Sequence, residues 1–149
     1  MKPALGDLLL TSAQTLGTDV APLLADKPYA MGHVGTIGLL LVFLAQEAER
    51  AADTLYTDNR ELRALFADAA GAPLGADLSS ALRHAAAAAE TSLHVRVLEA
   101  ENAALKSLLI ALHHVVDESP MPWARDLQRA IWAHLKASAD RRALVLPGA

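Results

Sequence analysis

Apolar residues recur along this chain at three- and four-residue steps, the period of a helix face, and nowhere hold the strict alternation of a strand. Near the start, Leu5, Leu8, Leu9, Ala13, Leu16, Val20, Leu23 and Leu24 keep that spacing, with Pro3 in the first turn, where proline is favoured. Gly17 and Pro22 fall inside the pattern and predict a bend or short break. From Pro28 to Gln46 there is no charged residue. Such a stretch is close to the lower length limit of a membrane span, and it equally suits the centre of a bundle covered on all sides. His33, Thr36, Gln46 and the glycines Gly32, Gly35 and Gly38 favour the second alternative. The expectation is a core helix from Tyr29 to about Leu55, whose glycines offer a flat face to another helix backbone.

The segment "DNRELRALFADAAG" predicts a separate helix, with Asp58 as N-cap, Glu61 three residues on and Gly71 just past the end. A loop follows near 71–78, then an alanine-rich helical stretch, with a break expected between Glu90 and Arg96. From Val97 to Asp117 the leucines and valines form one stripe, in which Leu98, Leu105 and Leu112 are spaced by sevens. "ESPMPW" connects to a last helix carrying Trp123, Leu127, Ile131 and Leu135 at four-residue steps. The pattern as a whole predicts an all-α fold, an antiparallel bundle of five or six helices in one domain over residues 1–149, with a short disordered tail at 145–149.

Composition narrows the function classes. Of the 149 residues, 53% are hydrophobic but only 4% aromatic, so the apolar content is mostly alanine and leucine, both strong helix formers. With no cysteine, disulfides, zinc–thiolate sites and thiol nucleophiles are excluded. The net charge of −4, without a basic block, argues against nucleic-acid binding. Asp7 interrupts the short N-terminal apolar run, so no signal peptide is read, and a soluble, cytoplasmic, bacterial-type protein with no membrane association is expected.

Polar residues set inside apolar stripes are the candidates for chemistry. Glu101 lies between Leu98 and Leu105, and His94 would share its face if the helix reached that far. His134 sits among Leu127, Ile131 and Leu135. His33 opens the uncharged helix and Glu47 closes it. One reading joins His94, Glu101, His134 and Glu47 in a bundle-core metal or acid–base site. The preferred one pairs Glu101 with an arginine of a neighbouring helix and leaves the histidines as satisfied core or boundary groups. The Glu-x-x-His pairs of di-iron bundles are absent, as are phosphate-binding glycine loops and hydrolase elbows, so no catalytic residue, metal or cofactor is assigned. His114 and Glu118 read as a solvated i,i+4 pair. Ile110, on the polar side of its helix, and Trp132, off the apolar line of the last helix, are the interface candidates, beside the alanine-rich segment 84–89.

Residues 8–49, "LLLTSAQTLGTDVAPLLADKPYAMGHVGTIGLLLVFLAQEAE", resemble the opening of small, uncharacterised, all-helical bacterial proteins. The matching positions are Leu9, Leu10, Val20, Pro22, Leu24, Tyr29, Met31 and Glu47. "LEAENAALKSLLIALHHVVDE" has no counterpart in them. The resemblance implies an all-α accessory protein, of a kind often encoded beside acyl-CoA dehydrogenase and aminoglycoside-phosphotransferase-like genes, and no catalytic residue. The functional expectation is a non-catalytic interaction protein that self-associates, most simply as a homodimer or with a protein partner. The alternatives are a helical bundle that binds a small apolar or acyl ligand beside His33 and Glu47, and a bundle-core metal site.

Overall fold

The structure is a computed structural model and describes residues 2–146. It is an all-α helical bundle. The described residues form α1 (Leu5–Thr15), α2 (Pro28–Ala69), α3 (Ala76–Ala87), α4 (Val95–Glu118) and α5 (Pro122–Arg141), and no strand is found among them. Between α1 and α2 the chain passes through a π-helical turn, Leu16–Val20, and a 3-10 turn, Ala21–Leu24. Pro22 has no N–H to continue the α pattern, so the bend expected near Gly17 and Pro22 is made of two non-α turns. The expected break before α4 falls at residues 88–94.

The predicted second and third helices are one helix of 42 residues. Asp58 is therefore not an N-cap, and Glu61 is not its capping-box partner. No glycine or proline interrupts residues 39–69. Thr57, Asp58 and Asn59 are poor helix formers, but Asp58 and Asn59 are held by side chains of α5 and α4, and those partners override local preference.

The chain groups into two compact units, Met1–Ala51 with Leu144–Ala149, and Ala52–Ala143. The second contains the hydrophobic core. Leu62 and Phe66 of α2, Leu82 of α3, Leu98 and Leu112 of α4 and Ile131 of α5 are fully buried there. Burying one such side chain contributes roughly 1.5–3 kcal/mol. In α4 the buried positions are Leu98, Asn102, Leu105, Leu109, Leu112 and Val116, in alternating steps of four and three. That is the narrow seam of a helix with neighbours along one side, and α4 packs against both α3 and α5.

The first unit is an antiparallel pairing of α1 with the start of α2. Gly6 is buried beside Glu49, and Gly38 faces the Ala13 carbonyl. Val145 joins α2 through a reciprocal pair of bonds: Gln46 Nε2 donates to its carbonyl at 2.8 Å, and its N–H donates to Gln46 Oε1 at 3.0 Å. The expectation of a fully covered core helix over 28–46 is corrected here. α2 contains an apolar window long enough to cross a membrane by length and composition, yet only 6% of that window is buried. Of the three glycines, Gly38 alone meets a neighbouring backbone; a Cβ at Gly32 or Gly35 would find nothing within 4 Å. The tail expected at 145–149 is described only to residue 146, and the remainder lies outside the described residues.

Candidate functional site

The N-terminal unit has two features that could bind something. The first is the side of α2 turned away from α1. Successive residues turn by about 100°, which places His33, Leu40 and Glu47 in one row, roughly opposite Gly38 and Glu49, the positions that meet α1. Along that row and beside it, Tyr29 is 81% exposed, Leu40 and Leu44 54% each, and Ile37 48%. Scattered single apolar residues on a surface are ordinary, whereas a contiguous exposed apolar face is the kind of surface that a protein, a ligand or a membrane covers. The second feature is a groove between α1 and α2 of about 550 Å³. Leu10, Ala13 and Gly17 form one wall, and Val34, Gly38 and Val42 the other. Its size falls within the usual range for small-molecule sites, and its lining is almost wholly apolar. α1 exposes Asp7, Thr11 and Thr15, together with Leu5 and Leu8.

The second unit holds three buried polar clusters. Asp58, with no exposed surface, accepts hydrogen bonds from Ser138 at 2.9 Å and from Arg141 Nη2 at 2.6 Å, and forms an ion pair with Arg142. Arg141 also grips Glu61 through two parallel bonds, at 2.9 and 2.5 Å. His134 Nδ1 lies 3.2 Å from Glu61. Burial alone would push the Asp58 carboxyl up, but hydrogen bonds from Arg141, Arg142 and Ser138 outweigh it and hold the group below the usual carboxylate range. A carboxylate kept ionised in this way ties α5 to α2 and is no proton donor. In the second cluster, Asn102 donates to Asn59 at 2.8 Å, and Asn59 donates to the Leu98 carbonyl at 3.3 Å. In the third, Arg63 pairs with Glu90 and lies 3.6 Å from Glu101, which accepts from the Thr91 hydroxyl at 3.1 Å.

No known family, curated protein or solved structure matches this chain.

The residues singled out from sequence are dispersed. His33 is exposed and packs edge-on against Tyr29, ring centroids 4.4 Å apart, while Glu47 pairs with Arg50 at 3.3 Å. Neither lines the apolar groove between α1 and α2. His94 does not share the Glu101 face, because α4 begins only at Val95 and His94 is the exposed residue before it. Glu101 belongs to the Arg63 cluster and His134 to the Asp58 cluster. Among the described residues, no group of three or more histidine, aspartate or glutamate side chains is placed to hold a metal ion. Ile110 is 71% exposed and Trp132 58%, the latter edge-on to His113 at 5.7 Å.

Sequence reasoning passed over Asn102, Asp58, Arg141 and Arg142. The first had a readable signal: it occupies a buried step of the α4 seam, between Leu98 and Leu105, where an amide announces a buried partner. Glu101, chosen instead, sits at the edge of that seam. The other three had none, since their spacing is decided by how α5 lies on α2.

Proposed function

We propose that this chain is a non-catalytic interaction protein that self-associates through its N-terminal unit. The observation that carries the reading is the uncovered apolar face of α2 over Tyr29–Leu44, in a chain whose core lies in the other unit. An apolar helix face exposed to water is stabilised by covering it, and roughly 25 cal/mol is gained for each Å² removed. The accessory role is what the resemblance of residues 8–49 implies. Light scattering at tens of micromolar tests the reading. The expected mass is that of a dimer, reduced to that of a monomer by Leu40→Glu with Leu44→Glu; a monomeric wild type refutes it.

A second reading is supported by the groove between α1 and α2. Its volume and apolar walls suit the chain of a small acyl or other aliphatic ligand. Titration with a fluorescent fatty-acid analogue tests this, with saturable binding abolished by Gly35→Leu as the expected outcome. A wild type that does not bind, or a variant that binds equally well, removes it.

A further inference from the structure

The face assigned to self-association also carries information on how two copies would meet. Resting on that reading, we propose that the occupant is a second copy of α2, antiparallel, with the two-fold axis beside Leu40, so that each His33 meets the partner's Glu47. The observation is a matter of register. His33, Leu40 and Glu47 are separated by seven residues each, so they form a straight row along the exposed side of a helix packed as in a left-handed pair. The polar members lie at equal distances on either side of the central leucine, and their chemistry is complementary. Rotation about the axis places residue 40 − k against residue 40 + k. It therefore brings imidazole to carboxylate twice, Ile37 to the partner's Phe43, and Thr36 to the partner's Leu44. A parallel arrangement would instead set Glu47 against Glu47, two acids confined in one apolar seam, which is the kind of juxtaposition that selects against a wrong register.

Two further observations favour a protein over a lipid surface as the cover. α1 carries the exposed Asp7 in its first turn, an ionisable group that is costly to take into hydrocarbon. The row also ends at both extremities in groups that can bond, His33 with Tyr29 against its ring and Glu47 beside Arg50, as at the polar limits of a helix seam.

Cysteine cross-linking tests the arrangement cleanly, because the chain has no cysteine of its own. A disulfide needs Cα atoms within about 7 Å. Residues 33 and 47 are 14 positions apart, or roughly 21 Å along the helix. Under mild oxidation Leu40→Cys should form a covalent dimer, and His33→Cys alone should not. A mixture of His33→Cys with Glu47→Cys should cross-link to the mixed dimer at least tenfold more than either variant alone. Far-UV circular dichroism confirms that each variant keeps the wild-type helix content. Cross-linking of His33→Cys with itself overturns the antiparallel register. A wild-type dimer in which Leu40→Cys fails to cross-link overturns this inference and leaves self-association standing. A monomeric wild type, including one that floats with phosphatidylcholine–phosphatidylglycerol vesicles, overturns both.

Discussion

Replacing Asp58 by alanine is the most informative perturbation of the second unit. The carboxylate is fully buried and receives Ser138, Arg141 and Arg142 at once. Its removal leaves a buried hydroxyl and two guanidinium groups facing a small void. Breaking a buried ion pair by deleting one partner costs about 3–5 kcal/mol. Two features bring the value to the lower end. Arg141 keeps its two hydrogen bonds to Glu61, and the Arg141 and Arg142 side chains are 24% and 34% exposed, so water recovers part of the loss. A destabilisation of about 3 kcal/mol is therefore expected. In a domain of this size it should lower the melting midpoint by about 12–24 °C. Asp58→Asn keeps the shape and one acceptor but removes the charge and turns an amide donor toward the donors on one side, and should lose about 1–3 kcal/mol. Urea unfolding followed by circular dichroism gives both values. A loss below about 1 kcal/mol for Asp58→Ala would falsify the view that this cluster fastens α5 to α2.

Three other outcomes follow from the same physics. Because Asp58 titrates below its unfolded value of about 3.9, the unfolded chain binds the extra proton first as pH falls. The stability difference between wild type and Asp58→Asn should thus be complete above about pH 5 and shrink below about pH 4, read from denaturant midpoints against pH; a difference that grows in acid contradicts it. Asn102→Leu and Asn59→Leu should each cost about 1–3 kcal/mol by stranding the other amide, while the double variant recovers most of the loss, a pattern that a double-mutant cycle detects. Gly35→Ala should raise the thermal stability of the N-terminal unit, by up to about 1 kcal/mol of helix propensity, since the added methyl meets nothing within 4 Å.

Helix faces were legible in the sequence wherever the neighbour lay on one side only. The α4 stripe appears where the pattern predicts it, and the break expected between Glu90 and Arg96 falls at 88–94, overlapping it. Two features were not legible, for different reasons. Asp58 and Glu61 have the spacing of a capping box, and only the arrival of Arg141, 83 residues further on, makes them members of a buried cluster in mid-helix. Long-range partners of this kind leave no local trace. The uncharged stretch 28–46 fails in another way. A helix apolar on every side has the same sequence whether the cover comes from its own chain, a second copy or a bilayer, so the pattern reports that cover is needed without saying whose.

The hydrogen bonds between Gln46 and Val145 join positions 99 residues apart. Residues 52–143 are all synthesised after Gln46 and before Val145, so the first helical pair waits for its last strap throughout that interval. A loop of that length is entropically expensive to close in an unfolded chain, and cheaper once the intervening residues have condensed. Prior condensation of the intervening segment thus favours closure of that strap, whereas the contacts of Gly6 with Glu49 and of Gly38 with Ala13 are nearer in sequence and do not depend on it.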